Sequence, residues 1–200
     1  MRMNINRFGG NSLLFYMDLF LIKTKLKNEF PITQCENQTY LQKAAVLVIL
    51  YPKNNKTHVL MTKRALHLRS HAGEISFPGG VYEEDEDYDL LATALRETNE
   101  EVGVKIETSK VIAELPTVNT RFGFEITPFV CVTSETLEFD PEEDEVDEIL
   151  EIPFTPLLAS QQRDVGFSPE QDMVMYWFKH HRIWGASAKI LRKIVHLSVY

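Results

Sequence analysis

Between Phe77 and Val104 the chain carries Phe-Pro-Gly-Gly, an acidic turn, and then Arg96-Glu97-Thr98-Asn99-Glu100-Glu101-Val102-Gly103-Val104. A helix over residues 88–102 puts Glu97, Glu100 and Glu101 at i, i+3 and i+4, so three carboxylates share a face and repel one another unless something positive sits there. A divalent cation is the simplest candidate. On the same helix Leu91, Leu95, Thr98 and Val102 follow one another at helical spacing and form a stripe that anchors it in a core. One face is expected to pack and the other to do chemistry.

The length of 200 residues and an apolar content of 44% suit one full-sized core, so a single soluble domain over residues 17–200 is expected, with residues 1–16 as an extension without fixed order. A formal charge of -8 speaks against broad nucleic-acid binding, because neutralising phosphates takes a basic field. Cys35 and Cys131 stand alone in sequence, with no CxxC spacing, which points to a reducing, cytoplasmic setting. Residues 12–22 have the look of a secretory h-region, but Asp18 interrupts them and the run is too short to span a bilayer. An amphipathic helix from about Met17 to Asn28, with Leu19, Ile22 and Leu26 on one side, accounts for them better, and no membrane association is expected.

Thr33 to Gln42 reads as a polar connector, followed by the β-branched-rich run Ala44 to Tyr51 as a central strand and Thr57 to Arg64 as its hairpin partner. Ala65 to Ala72 is polar and basic and is expected as an exposed loop leading to a short strand, Glu74 to Phe77. Beyond the acidic helix, Lys110 to Val118 and Phe124 to Thr133 are strand-like across an Asn119–Gly123 turn, and residues 138–151 form a charge-dense run expected to be mainly a solvated turn. A short helix near Pro156-Leu157-Leu158, a strand at Met173 to Phe178, a turn at His180-His181-Arg182 and a helix from Gly185 to Val195 complete the reading, with Trp184 a core residue. Strands outnumber helices and come mostly in adjacent pairs, so the expected class is α/β, a mixed β-sheet flanked by helices.

The stretch from Gly79 to Val104 resembles the Nudix box, G-x5-E-x7-R-E-U-x-E-E-x-G-U with U aliphatic: Gly80 and Glu86 match its first half, and Arg96-Glu97, Glu100-Glu101 and Gly103-Val104 its second. Two departures stand out: Thr98 replaces an aliphatic, and nine residues rather than seven separate Glu86 from Arg96, so Glu86, Asp85 and Asp87 are all candidates for the part of the first glutamate. Upstream, Leu60-Met61-Thr62-Lys63-Arg64-Ala65, Arg69, Gly73 and Phe77-Pro78-Gly79-Gly80 resemble the L-L-T-x2-[SA]-x3-R-x3-G-x3-F-P-G-G pattern of the coenzyme A diphosphatase branch of that superfamily, with Met61 in place of a leucine. The resemblance implies a Nudix fold, with a mixed sheet sandwiched between helices, and a diphosphatase that cleaves coenzyme A or acyl-coenzyme A into 4′-phosphopantetheine and adenosine 3′,5′-bisphosphate.

A trio of glutamates suits Mg2+ or Mn2+, hard cations that take oxygen ligands, better than zinc, so Glu97, Glu100 and Glu101 are the expected ligands. The Gly79 carbonyl is a further candidate oxygen, with the two glycines allowing close approach of the chain. The resemblance points to Glu97 or to a later acidic residue, here Glu145, as the base, and Arg96 reads as an organiser paired with a box glutamate. Lys63, Arg64 and Arg69 cluster in an otherwise acidic chain and are expected to meet the anionic substrate beside Gly79 and Gly80, with His67 and His71 assisting. Two alternatives stay open: hydrolysis of another nucleoside diphosphate derivative, such as ADP-ribose or a nucleoside triphosphate, and a catalytically silent nucleotide-binding module. The expected partner is a small molecule, with a homodimer left open.

Overall fold

The computed structural model describes residues 10–32, 41–165 and 173–198. Cys35, most of the connector expected over residues 33–42 and the first nine residues lie outside that range. An N-terminal helix α1 (Gly10–Glu29) precedes strands β1 (Gln42–Lys53) and β2 (Lys56–Arg64), which form a hairpin closed by Asn54 and Asn55, both at positive φ as a type I′ turn requires. Then come β3 (Ile75–Ser76), β4 (Gly79–Val81), helix α2 (Leu90–Val102), β5 (Val111–Glu114), β6 (Val118–Asn119) and β7 (Phe124–Val132). The chain continues through β8 (Val146–Pro153), α3 (Phe154–Ala159), β9 (Gln162–Arg163), β10 (Val174–Phe178), β11 (His181–Ile183) and α4 (Gly185–Ser198).

The main sheet is mixed. Its path runs β3-β2-β1-β7-β5, with β4 on β1, β6 on β7 and β8 on β2, and only the β1–β7 pair among these is parallel. Period-two alternation along β1 divides the core between two faces. Ala45, Leu47, Ile49 and Tyr51 pack with Ala94 and Val102 of α2, whereas Val48 and Leu50 pack with Leu26 of α1 and Leu191 and Ile194 of α4. The sheet is therefore sandwiched between α2 on one side and α1, α3 and α4 on the other, the α/β/α arrangement expected from sequence. A smaller antiparallel sheet, β9-β10-β11, lies beside it.

Four local expectations are corrected. α1 starts seven residues before the expected Met17. The strand expected over Lys110–Val118 is split into β5 and β6, with Pro116 in the gap, where no amide hydrogen is available for a ladder. Much of the charge-dense run is strand: Val146, Leu150 and Ile152 are buried while Asp147 and Glu148 face outwards, so β8 carries its charges on the open side of its pairing with β2. His181 and Arg182 belong to β11, and the turn is confined to Lys179 and His180. Among the described residues, no helix is long and apolar enough to cross a membrane.

Candidate active site

Helix α2 is delimited by its own sequence. Asp89 caps its start, accepting from the Ala92 amide at 2.8 Å, and Gly103 ends it in the left-handed conformation at φ 70°. Thr98, the residue in an aliphatic position, is fully buried and donates its hydroxyl to the Ala94 carbonyl at 2.6 Å, so burial leaves no orphaned donor. The three glutamates do not share one exposure. Glu100 points to solvent, Glu97 is half-buried, and Glu101 turns toward the core with only 3% of its surface exposed. The division of α2 into a packed face and a chemical face is thus less clean than the helical wheel implies, because Glu101 lies on the border beside Ala94 and Thr98.

β4 runs beneath this border, and its two glycines set the distance between strand and helix. A Cβ at Gly80 would overlap the Glu97 carboxyl group, and one at Gly79, whose φ is 146°, would overlap the backbone of Ala45 and Val46. Gly79 also meets the cluster through its amide, which donates to Glu101 Oε2 at 3.3 Å. Arg64, at the end of β2, brings Nη1 to 3.6 Å from Glu101 Oε1. Burial pushes the Glu101 carboxyl up to about 8, helped by Glu145 and Glu97, against the opposing pull of Arg64 and the Gly79 amide. Burial also raises Glu97, which Arg96 counters and Glu100 and Glu145 reinforce.

Arg96 treats the neighbouring acids of the turn unequally. Its Nε and Nη2 grip both oxygens of Asp87 at 2.9 Å, while Nη1 lies 2.9 Å from both Glu97 Oε1 and Glu100 Oε2. Asp87 is buried and also accepts from the Glu83 amide at 3.0 Å and the Thr93 hydroxyl at 2.9 Å. Glu86 stays exposed, 3.9 Å from Arg96 Nε. Of the three acidic candidates, Asp87, in the turn before α2, is the one whose two oxygens Arg96 grips, and those hydrogen bonds hold its carboxyl down at about 2.

The segment before β8 carries Glu145 to this cluster. Asp140 and Glu142 donate their amides to the carbonyls of Val102 and Glu101 at 3.0 Å each, hooking the segment onto the end of α2. The Glu145 carbonyl then accepts from the Ala65 amide at 2.8 Å. Its exposed carboxylate is near enough for its charge to raise both Glu97 and Glu101.

The basic residues separate. Leu60 packs on the α2 side of the sheet and Met61 on the other, so Arg64 faces the carboxylates while Lys63 faces away, paired with Asp147. Lys63 is therefore corrected from a substrate contact to a residue of the opposite face. A bulge between Lys63 and Arg64 leaves Asp147 as the extra residue of β8. The Arg64 Nε is buried without a hydrogen-bond partner, leaving donor capacity at the carboxylate cluster. Arg69, His67 and His71 lie exposed on the following loop, which is pinned where Gly73 donates to the Arg64 carbonyl. His181, on the Lys63 side, lies 3.4 Å from Glu148 and away from the cluster.

The donor set fits a hard cation. All the acidic groups offer oxygen, Gly80 makes room for a carboxylate, and burial, which Arg64 only partly offsets, disfavours the ionised form of Glu101 that a bound cation would stabilise. Among the described residues no three such side chains already converge on one point, because Arg96 holds Glu97 and Glu100. Sequence reasoning did not single out Thr93 or rank Asp87 over its neighbours; the available signal was Asp87 and Thr93 bracketing the start of a helix that carries Arg96.

Residues 41–178 match the NUDIX domain family. The chain is 35% identical over 165 residues to a protein of Salmonella paratyphi B described as an uncharacterized Nudix hydrolase NudL, an overlap covering 80% of this chain and 85% of that one. Two solved structures share the fold at lower identity. A MutT/nudix family protein from Enterococcus faecalis superposes with a TM-score of 0.58 at 13% identity, covering 98% of this chain and 76% of that one. The NUDIX domain of Shewanella oneidensis NrtR, solved with ADP ribose, gives a TM-score of 0.50 at 20% identity and covers 59% and 76%.

Proposed function

Since the chain belongs to the NUDIX domain family, we propose that it is a divalent-metal-dependent hydrolase that cleaves the diphosphate of coenzyme A or an acyl-coenzyme A to 4′-phosphopantetheine and adenosine 3′,5′-bisphosphate. The observation that carries this reading is the meeting of two sequence signatures at one point: Arg64, from the upstream pattern, stands 3.6 Å from Glu101 of the box helix. A cation beside a carboxylate cluster suits a substrate whose diphosphate binds metal and guanidinium together.

Members of the family generally use Mg2+ or Mn2+. Glu97, Glu100 and Glu101 would hold the ion here, and when bound it neutralises the diphosphate and makes its phosphorus more electrophilic. The rest is the work of the chain's own groups. Arg64 binds a phosphate oxygen, and Arg69 extends the positive field along the loop toward the nucleotide half. Arg96, fixed by Asp87, keeps the glutamates of α2 in register. Glu97 is committed to Arg96 and lies against Gly80, whereas Glu145 stands exposed on its hooked segment. Glu145 is therefore the carboxylate that takes the proton of the attacking water as its oxygen bonds to phosphorus and the other phosphate leaves with the bridging oxygen.

The test is to incubate the purified protein with coenzyme A and Mg2+ or Mn2+ and separate the products by chromatography. Release of 4′-phosphopantetheine and adenosine 3′,5′-bisphosphate is expected; turnover of ADP-ribose or a nucleoside triphosphate instead would overturn the substrate assignment and keep the hydrolase. The silent-module alternative draws on Arg96 holding Glu97 and Glu100. Nucleotide binding without turnover of any diphosphate would select it.

A further inference from the structure

A phenylalanine in water and a strained histidine meet beside the basic loop. Phe122 is 73% exposed at the tip of the turn between β6 and β7. Single exposed apolar residues are ordinary, but this one is held rather than frayed. The Thr120 amide donates to the Phe124 carbonyl at 2.8 Å, the Phe124 amide to the Thr120 hydroxyl at 3.1 Å, and the Gln42 amide to the Gly123 carbonyl at 2.9 Å. Against it, edge to face, stands His71, with ring centroids 5.4 Å apart and planes at 82°. His71 adopts φ 58°, rare for a residue with a Cβ, and its Nδ1 is 3.0 Å from Glu74 Oε2. Two separate loops thus spend conformational freedom to present one aromatic face.

The sheet register places that face relative to the reaction centre. Ala45 of β1 is opposite Gly80, which lies against Glu97, and Gln42 is opposite Phe124. Gly80 and Phe124 lie on opposite edges of β1, so three residues along the strand and two strand spacings separate them, a diagonal of about 14 Å. A nucleotide whose diphosphate sits at Gly80 extends its base by a comparable length. The same loop carries the exposed Arg69, between Arg64 and His71 in sequence, a cation available to an anionic substituent on the sugar.

We infer that Phe122, buttressed by His71, is the stacking platform for the nucleobase of the substrate. This rests on the reading of the chain as a hydrolase of nucleotide-containing diphosphates. The platform selects substrates with a planar base and is indifferent to the group on the far side of the diphosphate. Stacking tolerates any base, so the platform would contribute affinity for the nucleotide half rather than a choice among bases.

The test compares wild type with Phe122→Ala, Phe122→Trp, His71→Asn and Tyr88→Ser, using coenzyme A and an abasic ribosyl diphosphate ester. Asparagine tolerates the backbone of His71, and Tyr88 is a 91% exposed aromatic on the acidic turn. For coenzyme A, Phe122→Ala raises KM about 5- to 100-fold with kcat little changed, Phe122→Trp restores it, and His71→Asn gives a smaller rise. KM for the abasic ester is the same in wild type and Phe122→Ala. An unchanged coenzyme A KM in Phe122→Ala, or an equal rise in Tyr88→Ser, overturns the platform while the hydrolase reading stands. If wild type cleaves no diphosphate, calorimetric binding of adenosine 3′,5′-bisphosphate decides. Binding weakened in folded Phe122→Ala supports the platform without the hydrolase, and equal binding, or none in wild type, overturns it.

Discussion

Replacing Asp87 with asparagine keeps the size of the side chain and its acceptor for the Glu83 amide while removing the charge that Arg96 grips with two nitrogens at 2.9 Å. The Asp87 side chain is only 1% exposed, so little solvent screens the pair. Arg96, with smaller help from the Glu83 amide and the Thr93 hydroxyl, lowers the Asp87 carboxyl from 3.8 to about 2 against the opposing effect of burial, and a shift of that size is worth about 2.5 kcal/mol at neutral pH. Arg96 keeps Glu97 and Glu100, so the loss stays below the ~3–5 kcal/mol seen when a buried charge is left wholly unpaired. The sign follows from the direction of the shift. A carboxyl whose folded value lies below its unfolded one stabilises fully above the unfolded value, and the stabilisation fades as pH falls from about 4 through about 2. Denaturant titrations of wild type, Asp87→Asn and Glu86→Gln at pH 7 and pH 3 measure it. Asp87→Asn should cost about 2–2.5 kcal/mol at pH 7 and roughly half that at pH 3, while Glu86→Gln, 58% exposed, should stay within about 0.5 kcal/mol. A Glu86→Gln loss as large as that of Asp87→Asn, or a deficit independent of pH, would refute the assignment of Asp87 as the anchor of Arg96.

Three further outcomes follow from the same geometry. Gly80→Ala meets only the end of a flexible glutamate, so it should cost under ~1 kcal/mol in a thermal melt while displacing Glu97 and lowering kcat about 100-fold; Gly79→Ala, which meets backbone at φ 146°, should instead lose several kcal/mol of stability. Arg64→Ala should raise KM for the diphosphate by about tenfold or more, whereas Lys63→Met, on the other face, should leave it within about twofold. Glu100→Gln and Glu101→Gln should each lower activity by about two orders of magnitude and weaken the dependence on added Mg2+, read from metal titrations after chelation.

Helix α2 was readable because its signals are local: a cap at Asp89, a stop at Gly103 and an apolar stripe between them all lie within fifteen residues. Its charge logic was readable for the same reason, since i, i+3 and i+4 spacing fixes neighbours on a helix. What escaped depends on distant pairings. Which way Arg64 and Lys63 face is set by the register of β2 in the sheet, and two adjacent basic residues look alike until that register is known. β8 was hidden because its Val146, Leu150 and Ile152 spacing is diluted by six acidic residues between 142 and 148, and its strand character comes from pairing with β2. Asp87 could not be ranked against Asp85 and Glu86 because the lengthened turn folds back on Arg96, and local spacing alone does not say which acid arrives.

The hook of the Glu145 segment on α2 bears on how such a chain tolerates change in length. Asp140 and Glu142 satisfy helix carbonyls, and Leu137 and Phe139 pack on the same core, so everything from Leu137 onward moves with the helix. Ser134, Glu135 and Thr136 are exposed between that anchor and the end of β7. Insertions there would be absorbed as slack, at a cost that grows only slowly with loop length. One residue added between Glu142 and Glu145 would rotate the carboxylate out of reach. The chain thus has a joint where a lineage or an engineer can lengthen it freely, a few residues from a joint where it can change nothing.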